Sequence, residues 1–367
     1  MINVVILQPY NCPYRNPLFN AIASFPDINL HVVYFGSREL SRKWEYNYEP
    51  AFKEVQLHVK TVSTGFESNN YKYSLINIIK VLVKIKPDVI IANSNKIGKL
   101  TGLLRTFFRY KLISWTEDTV ATTNGRKYGL KHKLPFFNHV KSFIVPGKLA
   151  LEQLVFAGIK VKHSSVFYAP NTIDDEMFNF KPAITNDKFS KNLTHLNFLF
   201  AGHLTERKGI DVLYEAIKIL NKRKYQYTYH FDLVGEVILE RNGIKNIEFH
   251  GFKNGKEYVD FFVNNQILIL PSRQDCNPLV VIEALKSGMV ILLSKGVGSY
   301  PEYTNGSGYS FEVNSFKSTA NAIEKILFSD LRNLIEMSKI SYQIGQHVTA
   351  SNSASVFYEA ITHALKS

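Results

Sequence analysis

Two acidic residues, Asp275 and Glu283, flank a segment whose pattern predicts the start of a helix. An apolar run ends at Leu270, and a polar loop follows it. Asn277 is a good helix N-cap, and Pro278 suits the first helical position because its missing N–H costs nothing there. Backbone N–H groups at such a terminus attract anions. The pattern predicts an anion site with one acid outside the helix and the other about two turns along it.

A cationic segment begins at Gly202 and leads into a predicted helix at Gly209. In open α/β sheets, ligands bind at the carboxyl edge of the strands. The side chains expected at that edge are those of His203, Arg207 and Lys208. Positive charge there suits the charge that develops on a departing diphosphate. The two acids could instead be a helix cap and an exposed helix charge, but the cationic segment completes one site with them and favours the functional interpretation.

Polar residues also follow two predicted strands of the first half. Tyr14 and Arg15 lie at the start of a predicted helix and could contact phosphates or an acceptor. A surface arginine beside a turn is the alternative for Arg15. Glu117 and Asp118 follow the apolar run at residues 112–115. They could contact a ligand, or they could be a purely structural acid pair. The loop after the first strand has no G-x-G-x-x-G pattern, so a nicotinamide or flavin cofactor is not expected there.

Short apolar runs that alternate with amphipathic stretches predict the elements that must position these residues. Continuous apolar runs indicate parallel strands covered on both faces. They are residues 4–7, 30–35, 89–92, 112–115 and 143–145, then 196–200, 229–234, 247–249, 267–270 and 289–293. Helices are expected at residues 17–25, 75–86, 209–221, 256–263 and 278–287. The alternation predicts an α/β fold with doubly wound sheets.

The alternation stops near residue 170 and restarts at residue 196, which divides the sequence into two halves. We expect an N-terminal Rossmann-like domain over residues 1–180 and a C-terminal one over residues 181–350, in tandem and facing a cleft. Residues 351–367 are expected to form a terminal helix that packs back on the first domain. A protein of 367 residues with 45% hydrophobic residues can bury two such cores.

The formal net charge is +13, and it is concentrated in the first half. Between Lys72 and Lys148, thirteen basic residues stand against three acidic ones. A cationic half attracts polyanions, which could be nucleic acid, an anionic lipid surface or phosphorylated substrates. The alternative is that many of these basic side chains only solvate the exposed faces of helices. Residues 73–86 are amphipathic with lysines on the polar face, which favours docking on an anionic membrane surface.

Composition also limits the possible classes. Cys12 and Cys276 cannot form a disulfide framework, so a reducing compartment is expected. The first residues lack the pattern of a signal peptide, and no run reaches the roughly 18 apolar residues of a membrane span. We therefore expect a cytoplasmic protein, peripheral on the inner membrane face. No metal site is predicted, because metal-ligand spacing is absent among His132, His139, His163, His230, His250 and His347.

Four segments resemble motifs of retaining glycosyltransferases with the GT-B fold, the glycosyltransferase family 4 (group 1) type. Residues 202–209, GHLTERKG, match the family's G-R-L-x-x-x-K-G pattern, and residues 275–283 match its acid-x7-acid pattern. Residues 170–178, PNTIDDEMF, match P-N-x-(I/V)-D-x-x-x-F, and residues 249–251 match F-x-G. The resemblance extends over essentially the whole sequence and is strongest over residues 197–311.

The sequence departs from these motifs at the donor site. His203 replaces the usual arginine, so Arg207 could supply part of the missing charge. Asp275 replaces the usual glutamate, and the shorter aspartate alters the reach toward the donor sugar. Asn277 and Pro278 replace a common Phe-Gly pair but keep the backbone anion site.

The resemblance implies that a sugar moves from a nucleoside diphosphate to an acceptor hydroxyl with retention of configuration. No cofactor or metal is then required, because the nucleotide sugar is a co-substrate and the leaving phosphate takes the acceptor's proton. The residues with implied catalytic roles are Lys208, Asp275 and Glu117. Those implied in donor binding are Gly202, His203, Arg207, Phe252, Asn277, Pro278, Leu279, Val280 and Glu283. Contacts to the acceptor or phosphates are implied for Tyr14, Arg15 and Asp118.

The expected setting is bacterial surface polysaccharide assembly (capsule, O-antigen or exopolysaccharide) with a lipid-linked acceptor, and a soluble acceptor is the alternative. A second interpretation is a sugar-nucleotide-binding scaffold of the same fold without turnover. A basic nucleic-acid-binding protein is disfavoured because the sequence has no recognition helix, aromatic RNA-binding signature or zinc module.

Overall fold

The computed structural model describes residues 1–36, 48–57, 60–63, 69–72, 75–93, 96–125, 127, 135–190, 193–236, 239 and 243–367. Some residues of the sequence-based predictions lie outside this range, namely residues 73–74 of the amphipathic stretch, Arg126, Lys131, His132 and Lys133. The described residues form two α/β units, each built around its own parallel sheet.

The first unit contains a parallel sheet of seven described strands. These strands are β1 (Ile2–Gln8), β2 (Ile28–Tyr34), β3 (Lys53–Gln56), β6 (Val89–Ala92), β7 (Lys111–Trp115), β8 (Val140–Val145) and β9 (Val166–Tyr168). They lie in the order β3-β2-β1-β6-β7-β8-β9. A separate antiparallel hairpin is formed by β4 (Lys60–Ser63) and β5 (Asn69–Lys72). Strand β6 is apolar and buried throughout, and β7 is buried apart from Lys111, because both sheet faces are covered.

Helices cover both faces of this sheet. They are α1 (Asn16–Ala23), α2 (Leu75–Ile85), α3 (Lys96–Phe108), α4 (Lys148–Phe156) and the last helix, α12 (Ala350–Lys366). On one face, Trp115 lies edge-to-face between Phe19 of α1 and Phe357 of α12. On the other face, α2 and α4 bury Ile78 and Leu154 in a second core. The terminal helix is thus part of the first unit's packing.

The second unit repeats this plan with six described strands. They are β10 (His195–Ala201), β11 (Thr228–Val234), β12 (Ile247–Gly251), β13 (Ile267–Leu270), β14 (Val290–Ser294) and β15 (Gly308–Phe311). Its helices are α5 (Ile184–Lys188), α6 (Ile210–Leu220), α7 (Gly255–Asn264), α8 (Leu279–Lys286), α9 (Tyr300–Tyr303), α10 (Phe316–Leu327) and α11 (Leu331–His347). The strand order β12-β11-β10-β13-β14-β15 is that of a Rossmann sheet. No described helix is long and apolar enough to cross a membrane.

The two parallel sheets confirm the predicted α/β fold with two Rossmann-like, doubly wound units. The apolar runs at residues 89–92 and 267–270 coincide with β6 and β13. The short strands β3, β4, β5, β9 and β15 were not predicted. Polar residues interrupt four of these strands, as in β3, where only Val55 is partly buried, and β9 has only three residues.

The backbone passes between the units twice, and the two crossings lie side by side. Ile173 and Phe178 already pack in the second core, a few residues before the expected boundary at residue 180. On the return, Phe357 packs in the first core. The backbone N–H of Ala350 donates to Asp175 Oδ2 at 3.3 Å, which connects the returning segment to the outgoing one.

A buried lysine ties the start of the second unit to the end of α7. The ammonium group of Lys188 donates to the carbonyls of Phe262, Val263 and Asn265, the last two at 2.8 Å. The last carbonyls of a helix have no donor within the helix, and positive charge is favoured at this end. Lys188 therefore caps the carboxyl end of α7 from within the core.

We expect Lys188→Met to lower the free energy of unfolding by about 3 kcal/mol or more, because buried carbonyls left without donors cost about 1–3 kcal/mol each. Urea unfolding followed by circular dichroism measures the change. The control is Lys181→Met at an exposed position nearby, which should change stability by less than about 0.5 kcal/mol. Equal effects of the two variants would contradict the capping role.

Candidate functional site

A cleft between the two units encloses a cavity of about 1180 Å³. Both units contribute to its lining, and most of the predicted site residues are among the lining residues. These are Tyr14, Glu117, Gly202, His203, Arg207, Lys208, Phe252, Asp275, Asn277, Pro278, Leu279, Val280 and Glu283. The structure therefore brings the two predicted segments of the second unit together opposite the first unit.

An ion pair joins the cationic segment to the acidic one. Lys208 Nζ lies 2.5 Å from Asp275 Oδ2, and each side chain is only 13% exposed. Ser272 Oγ lies 3.4 Å from the same carboxylate oxygen. Because the pair is partly withdrawn from water, its attraction is stronger than that of a surface pair. The ammonium group of Lys208 lies in the cavity wall, so it could bind an anionic group of a ligand and Asp275 at the same time.

Glycines allow the loops behind this pair to approach each other. Gly235 has φ of 143°, and a Cβ there would lie 2.0 Å from the carbonyl oxygen of Gly202. Gly209 has φ of 71°, and its Cβ would lie 2.0 Å from the carbonyl oxygen of Pro271. Larger residues would push apart the strand ends that carry Lys208 and Asp275. The glycines are therefore part of the site's construction.

Helix α8 starts one residue later than predicted, so the expected cap at Asn277 is wrong by one position. Pro278 has φ of −69° and ψ of 130°, which is extended, and it is the N-cap residue. By helix geometry, the N–H groups of Leu279 and Val280 lack intrahelical acceptors, and both residues line the cavity. The amide of Asn277 is 6% exposed, and neither of its polar atoms has a hydrogen-bond partner among the described residues. Buried amides normally have partners, so a polar ligand is expected here.

Glu283 is not an exposed helix charge. Its Oε2 accepts a hydrogen bond of 2.7 Å from the hydroxyl of Tyr258 on α7. Burial raises the pKa of Glu283 to about 7, although the Tyr258 hydrogen bond acts in the opposite direction. The carboxyl group can therefore change its charge near neutral pH when a ligand donates to it. Phe252, which is 46% exposed, presents an aromatic surface to the same cavity.

On the opposite wall, Glu117 is held by two donors. Arg15 Nη2 lies 2.7 Å from Oε1, and Asn171 Nδ2 lies 3.0 Å from Oε2. Arg15 also donates to Gln8, and its guanidinium lies 4.6 Å from the ring centroid of Trp115. Enclosed by these partners, Arg15 positions Glu117 and is not among the described residues that line the cavity. Its contact with phosphates or an acceptor stays a prediction.

The other cations of the second unit also have protein partners. His203 Nδ1 lies 3.8 Å from Glu236 Oε2, and both side chains are partly exposed. Arg207 Nη1 donates to the carbonyl oxygen of Gln274 at 3.0 Å. Both residues line the cavity with Lys208, so a negatively charged ligand there would also meet the positive charge of Arg207.

Two further residues limit the chemistry. The lining residues of the described part of the protein do not include Asp118, whose binding role stays a prediction. Cys276 does line the cavity, but burial raises the pKa of its thiol to about 12. A thiol nucleophile must ionise to react, so Cys276 is unsuited to covalent catalysis at neutral pH.

Three residues that organise the cleft were not among the predicted site residues. Asn171 spans the units, since its Nδ2 also lies 3.3 Å from the carbonyl oxygen of Asn277. Asn171 belongs to the Pro-Asn-x-Ile-Asp segment, and this motif match was the feature of the sequence that could have indicated its role. Tyr258 had no signal, because its partner Glu283 is 25 residues away. Glu302 accepts a hydrogen bond of 2.7 Å from the backbone N–H of Lys148, so the second unit caps helix α4 of the first.

Residues 184–343 match the model of the family described as glycosyl transferases group 1. The second unit is therefore a group 1 glycosyltransferase domain, and the protein is an enzyme of the glycosyltransferase class. The protein is 27% identical over 284 residues to an uncharacterized 41.2 kDa protein in the cps region of Klebsiella pneumoniae. That alignment covers 69% of this protein and 73% of the relative.

A second relative is the UDP-Gal:α-D-GlcNAc-diphosphoundecaprenol α-1,3-galactosyltransferase of Escherichia coli. It is 21% identical to this protein over 282 residues. The alignment covers 71% of this protein and 72% of the relative. Among solved structures, Anabaena HepE in complex with UDP is similar with a TM-score of 0.69 and 14% identity. The superposition covers 98% of this protein and 100% of that one. At this identity the likeness shows the fold alone, and that fold is GT-B.

Proposed function

We propose that this group 1 glycosyltransferase domain binds the diphosphate of a sugar donor beside Lys208, and that the protein transfers a hexose to an acceptor hydroxyl. The observation that carries the proposal is the Lys208–Asp275 pair beside the open start of α8, inside a cleft lined by both units. A cation and unpaired helix N–H groups together form a site for a diphosphate.

The donor would lie along the wall of the second unit. Its diphosphate would contact Lys208, Arg207 and the N–H groups at the start of α8. Its ribose hydroxyls would donate to Glu283, and its base would lie on Phe252. The sugar would then reach Asp275, the amide of Asn277 and, across the cleft, Glu117. We propose UDP as the nucleotide, because both the Escherichia coli relative and the similar Anabaena structure involve it.

The proposed chemistry relies on stabilising the leaving group. As the sugar–oxygen bond breaks, negative charge grows on the diphosphate, and Lys208 and the α8 terminus offset it. We propose retention, in which the acceptor hydroxyl attacks from the leaving-group face and gives its proton to the departing phosphate. Glu117, fixed by Arg15 and Asn171, would stabilise the positive charge on the sugar ring. Because protein charges meet the diphosphate, the reaction as proposed requires no metal ion.

The proposed acceptor is a lipid-linked saccharide at an anionic membrane surface, as in capsule or lipopolysaccharide assembly. Helices α2 and α3 pack on the same face of the first sheet and expose apolar side chains outward. The exposed fractions are 63% for Ile76, 53% for Val83, 60% for Leu103 and 80% for Phe107. Exposed lysines at positions 80 and 84 of α2 lie beside them. Apolar and cationic groups on one surface are typical of peripheral binding to anionic lipid.

We expect a UDP-sugar to raise the melting temperature of the wild type without added metal, and Lys208→Ala to lose the shift. Ligand at 100 times its dissociation constant adds about 2.7 kcal/mol of stability, which a thermal-shift assay resolves. Lys222→Ala, an exposed lysine of the same unit, is the control and should keep the shift. If no UDP-, GDP- or ADP-sugar shifts folded wild-type protein, the donor site is refuted. A shift without transfer or donor hydrolysis would favour the scaffold interpretation.

We also expect binding of the UDP-sugar to weaken about tenfold from about pH 8 to about pH 6, because a carboxyl group with a pKa near 7 must ionise to accept from the ribose hydroxyls. A UDP-sugar has no phosphate that titrates in this range, so isothermal titration calorimetry reports the protein groups. Glu283→Gln should bind more weakly and with a flat profile. Tighter binding at low pH would contradict this role of Glu283.

For the membrane surface, we expect Phe107→Glu to reduce co-sedimentation with phosphatidylglycerol vesicles about tenfold or more, since burying a phenylalanine contributes about 1.5–3 kcal/mol. Phe328→Glu in the second unit is the matched control, because Phe328 is 61% exposed. Binding should also decrease with salt. Equal binding of both variants, or no binding of the wild type, would refute this docking surface.

A further inference from the structure

A group of ionisable side chains lies outside the cleft, on one face of the second sheet. His230 and Asp232 alternate along β11, and Glu248 and His250 alternate along β12. The strands are parallel, and Asp232 is paired with Glu248 in the register. Alternate residues of a strand share a face, so the four side chains converge beside the end of α7. There Phe261 lies 4.7 Å from the His250 ring.

Three of these side chains place potential metal ligands at suitable distances. His230 Nε2 lies 3.7 Å from Asp232 Oδ1 and 3.7 Å from Glu248 Oε2. The three ligand atoms all lie within 4.8 Å of one another. Ligands held about 2.0–2.2 Å from a tetrahedral ion lie about 3.4 Å apart. Small side-chain movements would therefore bring all three into coordination.

The imidazole nitrogen that faces the two carboxylates has no hydrogen-bond partner among the described residues, although the atom itself is buried. Buried polar atoms nearly always have a partner. At 3.7 Å from both oxygens, Nε2 is too distant for a hydrogen bond to either one. A cation bound between the nitrogen and the oxygens would give the nitrogen the partner that it lacks.

Asp232 is already oriented for such a role. His250 Nε2 lies 2.7 Å from Oδ1, and Asn265 Nδ2 donates to Oδ2 at 2.9 Å. Carboxylates that bind metals are commonly fixed by hydrogen bonds of this kind. The side chain of Asp232 is 16% exposed, whereas that of Glu248 is 63% exposed. One ligand is thus fixed, and another is free to close over an entering ion.

We propose that His230, Asp232 and Glu248 form a binding site for a divalent transition metal, with Zn²⁺ as the preferred ion. One imidazole with two carboxylates suits Zn²⁺ better than Mg²⁺ or Ca²⁺, which favour oxygen ligands alone. The ion joins β11 to the edge strand β12. Both strands lead directly into the cavity wall, at Val234 and at Phe252 respectively. The site is structural, and it is independent of the proposed sugar transfer.

The test is calorimetric titration of ZnCl₂ into untagged, chelator-treated full-length protein. We expect the wild type to bind one equivalent, and Glu248→Gln and His230→Gln each to bind about tenfold more weakly or worse, because each loses a direct ligand. Glu248→Gln alters an exposed residue, so this variant should fold normally. The control is His195→Gln, since His195 hydrogen-bonds Asn197 on its own strand, β10, and Thr228 at the start of β11. This variant should bind like the wild type.

Co²⁺ serves as a second probe, because its visible absorption reports tetrahedral ligation. The wild type and His195→Gln should show this absorption, and His230→Gln should not. The proposal is overturned if the wild type binds neither ion, if Glu248→Gln binds Zn²⁺ as tightly as the wild type, or if His195→Gln loses as much affinity as His230→Gln. Any of these results would leave the cluster as a network of ion pairs only.

Discussion

Lys208 and Asp275 are 67 residues apart in sequence, and their ion pair joins the loop after β10 to the loop after β13. Main-chain hydrogen bonding supports the same junction, since Arg273 N–H donates to the carbonyl of Arg207 at 2.9 Å. Because both charged groups are mostly buried, either one alone would have an uncompensated desolvation cost. The pair therefore fixes where α6 and α8 begin relative to each other. The position of the helix N–H groups in the cavity wall depends on that arrangement.

The two walls of the cleft carry different charged groups, and one side chain contacts both walls. The second unit presents Lys208 and a helix N-terminus together with the carboxylates of Asp275 and Glu283, whereas the first presents the carboxylate of Glu117. Asn171 donates both to Glu117 and to the carbonyl of Asn277, so a single amide spans the gap. Small errors in the distance between reacting groups cost large factors in rate. The spacing of the walls is therefore fixed by direct hydrogen bonds.

Sequence reasoning succeeded where a local pattern has a local cause. Continuous apolar runs indicated the central strands, because burial on both faces requires them. The glycine turn and the spacing of Asp275 and Glu283 indicated residues that line one wall of the cleft, because each motif lies within one loop and one helix. It failed where the cause is three-dimensional. The direction of Arg15 depends on Trp115 and Glu117, which are distant in sequence. The convergence of His230, Asp232 and Glu248 depends on strand register, which spacing along the sequence does not show.

Helix α12 belongs to the first unit although it is the last segment of the sequence. Phe357, Ala360 and Ile361 complete the core that Phe19 and Trp115 begin. During synthesis, the ribosome releases the second unit before it releases these residues. Domains commonly fold in the order in which they emerge. Here the first unit exposes an apolar sheet face until α12 has been synthesised, so the order in which the two units reach their final packing is the reverse of their order in the sequence.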